Sequence, residues 1–252
     1  MRKRLISILL VLLIFFQPVF ASDFSNKDYI RIAIIDTGIS TMAIDAGMLA
    51  EGYNYVLDNK NTEDKIGHGT AVAGIIESSF QSDLSERTSG IKFVPLVFQT
   101  VDESGMVKKG DPELIAQAIR DAIDIYGCRV INLSLGTTLG SSNLSEAVEY
   151  AEEKNVVIVS SVGNKNMRDS DLLYYPAAYP TVIGVGSVNK YGRVSDFSQR
   201  NRSLTLVATG ERIWTVSKNG KALLTNGTSF ATALVSAAVA KLMCACPELT
   251  AE

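Results

Sequence analysis

The chain has 252 residues, of which 46% are apolar and 20% charged, a size and composition that suit one globular domain with a substantial core. These values exclude the disordered and fibrous classes of protein. Lysine and arginine number 24 against 27 aspartate and glutamate, a formal net charge of -3, and no basic stripe follows residue 4. Nucleic acid is therefore not an expected partner.

The N-terminus has the pattern of a secretory signal. Basic residues at positions 2–4 precede an apolar run of about 12 residues, and the segment closes on small residues near Ala21. The run is shorter than the roughly 20 residues that a membrane-spanning helix needs. We therefore expect residues 1–21 to be a cleavable signal peptide, with a retained anchor as the alternative. The protein is expected to be secreted or extracellular, and tethered to a membrane only if this segment stays uncleaved.

Residues 22–252 alternate between short β-branched runs and segments with helical spacing, which predicts a single α/β domain. Its sheet should be doubly wound and mostly parallel, with helices on both faces. Strands are predicted at 30–36, 92–98, 129–135, 156–161 and 181–188, and helices at 69–79, 111–125 and 142–154. We expect the domain to be a monomer.

The last part of the chain departs from this alternation. Residues 204–225 contain two apolar runs around an Asn-Gly pair, which predicts an antiparallel hairpin at the sheet edge. A segment that is apolar on almost every side begins at Ser229, which predicts a central, buried helix. The chain ends at Glu252, soon after this helix, and a C-terminal truncation is therefore an open expectation.

The cysteines and the histidine do not form a metal or disulfide pattern. Cys128, Cys244 and Cys246 are odd in number, and we interpret them as small buried apolar residues. The chain has one histidine, and no Cys or His cluster has ligand spacing, so no metal site is predicted.

Three polar residues lie where a parallel α/β fold usually collects its functional groups. Asp36 follows the apolar run 32–35, at the carboxyl end of a predicted strand; the alternative is an aspartate that caps a turn. His68 precedes a predicted helix, whose positive end would disfavour the imidazolium; a structural histidine is the alternative. Ser229 opens the buried helix, where free amides can stabilise an oxyanion; a helix-capping serine is the alternative.

Together these three side chains make a complete catalytic set. A serine hydroxyl is a weak nucleophile until a base removes its proton, and the base needs a carboxylate that orients it and stabilises its cation. In chain order the residues run Asp, His, Ser, an order distinct from those of chymotrypsin and the α/β-hydrolases. We therefore predict nucleophilic serine catalysis with Asp36, His68 and Ser229 as the triad.

The sequence resembles the subtilisin-like serine proteases, or subtilases, in five ordered segments. Residues 34–38 resemble the aspartate motif of that family, 68–74 its histidine motif and 227–232 its serine motif. Residues 130–136 resemble the strand that pairs with the substrate, and 160–164 resemble the segment that carries the oxyanion-hole asparagine. The resemblance spans nearly all of the presumed mature chain and implies a subtilisin-like three-layer sandwich.

The resemblance also implies roles for single residues. Ser229 would attack the peptide carbonyl and form an acyl-enzyme, while His68 would carry the proton and Asp36 would orient His68. Asn164 would donate its side-chain amide to the oxyanion, beside the backbone amide of Ser229.

Substrate binding is implied by the same resemblance. The backbone of a peptide or protein substrate would lie as an added strand against Ser134, Leu135 and Gly136. Gly163 and the loop 101–109 would form walls of the specificity pocket. The sequence indicates neither an acidic pocket for basic side chains nor a clear apolar slot.

The chain departs from the family pattern at several positions. Ala71, Phe230 and Ala233 stand where histidine, methionine and proline are common, and none of these changes removes a catalytic group. Only residues 22–29 separate the signal from the first strand, where secreted relatives usually carry a folded propeptide, so self-activation stays open. No cofactor is required. A structural calcium ion is conceivable at the oxygen-rich segment 58–64 but is not predicted, because no calcium-loop pattern is present.

Three other hypotheses compete with the protease. An aspartic protease needs a second catalytic aspartate motif, which is absent, and it would leave His68 and Ser229 unexplained. An α/β-hydrolase would need a second glycine in the serine motif and another residue order. A catalytically silent module with a subtilase fold, acting in binding or as a scaffold, is the remaining alternative, and the missing propeptide is what favours it.

Overall fold

The fold is built around a seven-stranded parallel sheet, which a computed structural model describes within residues 29–81 and 90–251. Its strands are β1 (Ile30–Asp36), β2 (Tyr53–Asn54), β3 (Ile91–Val97), β6 (Val130–Leu133), β7 (Val157–Ser161), β8 (Ile183–Val188) and β9 (Leu206–Thr209). They lie in the order β2-β3-β1-β6-β7-β8-β9. The predicted signal peptide lies outside the described residues.

In the part of the chain that the structure describes, four α-helices cover the two faces of the sheet. They are α1 (His68–Gln81), α2 (Pro112–Asp124), α3 (Ser142–Glu153) and α4 (Thr228–Ala245). Ile32 and Ile34 of β1 pack with α1 and α4 on one face, while Ala33 and Ile35 pack with α2 and α3 on the other. Successive residues of a strand point to opposite faces, so both faces of this strand are apolar. The predicted doubly wound α/β fold is confirmed.

The region 204–225 differs from its prediction. A hairpin of β10 (Ile213–Val216) and β11 (Ala222–Thr225) is present, but it forms a separate two-stranded sheet. Its place is fixed by α1, because the Thr215 hydroxyl donates a hydrogen bond of 2.7 Å to the Ala71 carbonyl. The edge of the main sheet is instead β9, which pairs in parallel with β8. The prediction of antiparallel strands at the sheet edge was therefore wrong about their location.

Several short elements were not predicted from the sequence, among them β2 and two strands that follow β3. β4 (Gln99–Val101) and β5 (Val107–Lys109) form a small antiparallel hairpin directly after β3. The hairpin corresponds to the loop 101–109 that was expected near the substrate pocket. At its base, Lys109 Nζ donates a hydrogen bond of 3.1 Å to the Gly136 carbonyl, so the hairpin contacts the predicted substrate strand.

The free backbone amides at the helix starts find hydrogen-bond acceptors in different ways. Asp111 caps α2 by accepting from the Leu114 amide, and Ser141 caps α3 by accepting from the Leu144 amide. Gly227 precedes α4 and offers no capping side chain. The first amides of α4 are therefore open to other groups of the protein or to a ligand.

The helix α4 is the most apolar of the four and lies against strands of the main sheet. It is the single helix among the described residues that is long and apolar enough to cross a membrane by composition, and 56% of that 18-residue window is buried in the domain. Packing against the sheet thus accounts for its composition, as the sequence predicted.

The cysteines follow their prediction only in part. Cys128 is buried, and burial raises the pKa of its thiol to about 12. Cys244 is half-buried and Cys246 is exposed, so the interpretation of Cys246 as a buried residue was wrong. It lies at the end of α4, past the part of the helix that the sheet covers. None of the three cysteines forms a disulfide.

We predict that Ile34→Ala lowers the free energy of unfolding by about 2–5 kcal/mol, because the fully buried side chain lies between the sheet and the α1/α4 layer. The measurement is urea unfolding followed by circular dichroism. Leu139→Ala is the control, since Leu139 is 69% exposed and should change stability by no more than about 0.5 kcal/mol. Equal effects of the two substitutions would contradict this account of the core.

Candidate active site

The carboxylate of Asp36 stands at the carboxyl end of β1 and has no exposed surface. Its Oδ1 accepts hydrogen bonds from the Thr37 amide at 2.8 Å and lies 2.7 Å from His68 Nδ1. A carboxylate only accepts, so in the neutral imidazole His68 Nδ1 carries the proton and Nε2 keeps its lone pair. Asp36 Oδ2 is buried without a hydrogen-bond partner among the described residues. The imidazole is therefore the main group that balances this buried charge.

His68 is the first residue of α1, one position earlier than the predicted helix start. Two hydrogen bonds join the start of this helix to the loop after β1. The Gly69 amide donates to Thr37 Oγ1 at 2.8 Å, and the Ser40 amide donates to Thr70 Oγ1 at 3.0 Å. A Cβ on Gly69 would lie only 2.3 Å from the Gly38 carbonyl oxygen, so this approach requires glycine.

Asp64 holds the other side of the same helix start. Its buried carboxylate accepts from the amides of Ile66, Gly67 and Thr70 and from the Thr70 hydroxyl, at 2.6 to 3.0 Å. The sequence had pointed to this segment only for its oxygen-rich composition. In the structure, its last carboxylate satisfies the amides at the start of the helix that carries His68.

The pKa of His68 results from opposing effects. Burial of the ring lowers the pKa, but the charge of Asp36, the hydrogen bond to it and the charge of Asp64 raise it, and the net pKa lies above the ordinary value. The sequence had suggested that the helix terminus would disfavour the imidazolium. The two carboxylates outweigh that effect, because one of them touches the ring.

Ser229 is the second residue of α4 and is nearly buried, at 6% exposure. Its hydroxyl donates a hydrogen bond of 3.0 Å to the Ser134 carbonyl, and the Ser134 hydroxyl donates one of 3.0 Å to the Ser229 carbonyl. The next residue, Phe230, has its ring centroid 5.6 Å from that of His68. The serine helix and the histidine helix therefore meet at this point, with the single hydroxyl proton of Ser229 directed to the strand in this conformation.

Asn164 lies beside the start of α4. Its Oδ1 accepts hydrogen bonds from the Thr228 amide at 2.9 Å and from the Thr228 hydroxyl at 3.0 Å. Because the oxygen of this side chain is occupied, its Nδ2 remains as a donor on the other side. The Ser229 amide, in the first turn of the helix, has no intrahelical acceptor. One of these two donors thus belongs to Ser229 itself, and the other to a side chain that contacts the preceding residue, Thr228.

The expected substrate-binding residues follow two neighbouring strands at the same edge of the sheet. Ser134, Leu135 and Gly136 come directly after β6, and Gly163 follows β7. Ser134 is buried, whereas Leu135 and Gly136 are partly exposed. Gly163 has a φ of 104°, which a residue with a side chain rarely adopts, and it directly precedes Asn164.

A cavity of about 360 Å³ opens beside His68. The residues that line it come from the start of α1, the β10–β11 hairpin and α4, and include Ile66, Leu223 and Phe230. The imidazole is therefore reachable from solvent. Within residues 29–81 and 90–251, no three Asp, Glu, His or Cys side chains are grouped so that they could hold a metal ion.

Comparison with known proteins gives the class of the protein, a serine-type peptidase on an α/β scaffold. The chain belongs to the subtilase family, whose profile it matches over residues 27–252. It is 32% identical to thermitase of Thermoactinomyces vulgaris over 213 residues, which covers 84% of this chain and 74% of that protein. It is 38% identical to a cell wall-associated protease of Bacillus subtilis over 225 residues, 86% of this chain but 24% of that protein.

The structure is similar to that of a cold-adapted subtilisin-like serine proteinase. The TM-score is 0.73 with 27% identity, over 90% of this chain and 81% of the other. The predicted resemblance to the subtilases and the subtilisin-like fold are thus confirmed. The share of each relative that the chain spans differs widely, so substrates and partners of the whole protein are matters for proposal.

We predict that the single imidazole titrates above the ordinary histidine pKa of about 6.5, as followed by NMR. Because the pKa of His68 is higher in the folded than in the unfolded protein, its pairing with Asp36 stabilises the fold fully at pH values below the unfolded pKa. That contribution is lost as the pH rises through the folded pKa. In Asp36→Asn the pKa should fall, since burial then acts with less opposition.

Ser229→Ala is the matched control for this titration, because it leaves both carboxylates in place. Its imidazole should titrate close to the wild-type value. A wild-type pKa below about 6.5, or one that does not respond to Asp36→Asn, would contradict the assigned pairing.

Proposed function

We propose that this protein is a secreted endopeptidase that hydrolyses peptide bonds through Asp36, His68 and Ser229. The observation that carries the proposal is the 2.7 Å contact between Asp36 Oδ1 and His68 Nδ1, formed beside the start of the helix that bears Ser229. The contact leaves Nε2 of the imidazole free to act as a base on the serine.

The proposed reaction begins with a rotation of the Ser229 side chain away from the Ser134 carbonyl. Nε2 of His68 then takes the hydroxyl proton while Oγ attacks the carbonyl carbon of the substrate. His68 becomes an imidazolium, which the buried Asp36 stabilises. The proton passes to the departing amine, and water hydrolyses the acyl-enzyme with His68 again acting as base.

The oxyanion that develops in each step would be held by two donors. One is Nδ2 of Asn164, whose side chain is oriented by its oxygen contacts with Thr228. The other is the Ser229 amide in the first turn of α4. Because these donors are fixed before the reaction, no reorganisation is needed as the charge forms.

The substrate is proposed to be an extended segment of a peptide or protein. Its backbone would pair with Ser134, Leu135 and Gly136, the segment that continues from β6 at the open edge beside Ser229. Binding through backbone hydrogen bonds tolerates varied sequences and leaves selectivity to the pocket walls.

Secretion is proposed from the N-terminal segment alone, with residues 1–21 as the signal. The remaining residues 22–252 would form one catalytic domain acting as a monomer, without a required cofactor. Nucleic acid is not a proposed partner, and contact with a membrane is proposed only through an uncleaved N-terminal segment.

Ser229→Ala should abolish turnover of a peptide substrate, by a factor on the order of 10⁶, a magnitude known from subtilisin and not obtained from this structure. Labelling by a fluorophosphonate should be lost as well, because the probe reacts with the serine oxygen. Stability should fall by no more than about 2 kcal/mol, the scale of one buried hydrogen bond to the Ser134 carbonyl.

This experiment separates the enzyme from the silent scaffold. The wild-type protein should be labelled at Ser229, and folded wild-type protein that is neither labelled nor active would favour the scaffold. Ser229→Ala serves better than His68→Ala for this purpose. Removing the imidazole leaves Asp36 buried without its main partner, which should cost about 3–5 kcal/mol of stability.

Asn164→Ala should lower kcat by about 100- to 1,000-fold, the range found for the corresponding donor in subtilisin. KM should change little, because the lost interaction is strongest in the transition state. Asn164→Asp is a second variant that keeps an oxygen for Thr228 but places negative charge near the oxyanion. It should be impaired at least as much, and wild-type turnover in either variant would exclude the proposed oxyanion site.

A further inference from the structure

The two segments that follow β6 and β7 lie side by side at the carboxyl edge of the sheet, and we call the space between them the crevice. These strands are neighbours in parallel register, with Leu133 opposite Ser160, so the chain leaves the sheet at adjacent points. One side of the crevice is the segment 134–136 and the other side ends in Gly163. Ser229 lies at its mouth, where its hydroxyl reaches the Ser134 carbonyl.

The position of the reacting carbonyl follows from these contacts. It must lie within reach of Ser229 Oγ and, at the same time, of the Asn164 amide, which directly follows Gly163. If the residue that supplies this carbonyl, the P1 residue of the substrate, binds at that position, its side chain would enter the crevice between Gly136 and Gly163.

The ring of Tyr174 already occupies this space. A Cβ on Gly163 would lie 2.3 Å from Cδ2 and Cε2 of Tyr174, so the ring packs directly against the glycine backbone. A Cβ on Gly136 would lie 3.6 Å from Cβ and Cδ1 of the same side chain. Tyr174 therefore packs against Gly163 and leaves room for no more than a Cβ in ordinary contact at Gly136, so it lies between the two walls of the crevice.

The backbone that carries Tyr174 is held on the side of the substrate strand. The Thr137 amide donates to the Tyr175 carbonyl at 3.1 Å, and the Tyr175 amide donates to the Thr137 carbonyl at 2.8 Å. The rings of Tyr175 and Tyr179 pack with centroids 4.9 Å apart, and the Tyr179 hydroxyl donates to the Ser141 carbonyl at 2.9 Å.

A second set of contacts holds the segment just before Tyr174. The buried amide of Gln199 donates to the carbonyls of Leu172 at 2.8 Å and Asp169 at 2.9 Å. Asn201 Nδ2 also donates to the Leu172 carbonyl, at 2.8 Å. Hydrogen bonds to Leu172 and Tyr175 thus anchor the backbone on both sides of Tyr174. The ring of Tyr174 packs on Gly163 and forms part of the wall of the crevice.

We propose that Tyr174 restricts this protein to substrates with a small P1 side chain, such as glycine, alanine or serine. The inference rests on the proposed function and names the substrate class of the same site. A large aromatic or branched P1 side chain would have to occupy the volume of the tyrosine ring, whereas a methyl or hydroxymethyl group needs little space beyond the backbone.

The test is a series of peptides that differ only at P1, with alanine, leucine or phenylalanine, assayed for kcat/KM. The wild-type protein should prefer alanine over phenylalanine by at least about tenfold. Tyr174→Gly should raise the phenylalanine-to-alanine ratio by about 10- to 200-fold, because it empties the crevice. Tyr174→Phe is the matched control, since it keeps the ring, and it should retain the wild-type preference.

Fluorophosphonate labelling of Ser229 in each protein separates this inference from the proposed function. Labelled wild-type protein that cleaves after phenylalanine as well as after alanine would overturn the role of Tyr174 and leave the protease intact. An unchanged ratio in labelled Tyr174→Gly would do the same. Loss of labelling in the folded wild-type protein would overturn both proposals. If Tyr174→Gly does not fold, Tyr174→Ala and the wild-type profile decide the question.

Discussion

The pairing of Asp36 with His68 is the constraint on which the arrangement of the site depends. A carboxylate without exposed surface at the end of β1 is costly unless a partner compensates its charge, and the imidazole at 2.7 Å is that partner. The pairing requires the first residue of α1 to approach the end of β1. The hydrogen bond from the Gly69 amide to Thr37, together with the absence of a side chain at Gly69, makes that approach possible.

At three helix starts a nearby side chain accepts from an amide of the first turn, whereas at the fourth the acceptor belongs to a residue distant in the chain. Asp64 closes the start of α1, and local side chains cap α2 and α3. At α4 the distant Asn164 takes only the amide and hydroxyl of Thr228. The Ser229 amide and the second end of Asn164 then remain for a ligand with developing negative charge. The same physical rule, that helix amides need acceptors, thus serves stability at three helices and supports the proposed chemistry at the fourth.

The crevice beside Ser229 is where a side chain of the protein could set the selectivity for the P1 residue. Gly136 and Gly163 carry no side chains that could fill the space between the segments after β6 and β7. In this chain the room is taken by the ring of Tyr174 rather than left for a substrate side chain. Selectivity for the P1 side chain would then depend on Tyr174. This residue lies about ten positions after Asn164, in a segment that matches none of the catalytic motifs.

The sequence alone determined the fold class and the candidate triad. Apolar runs such as 32–35 mark buried strands by composition, and motifs such as the one around Ser229 carry their residue types in fixed spacing, so both are local properties. The contacts between distant segments are not local. The capping of α1 by Asp64, the bond between the Ser229 hydroxyl and the Ser134 carbonyl, and the packing of Tyr174 against Gly163 each join residues whose proximity depends on strand order and register. Only the tertiary structure decided them, because the same residue types in another register would face other partners.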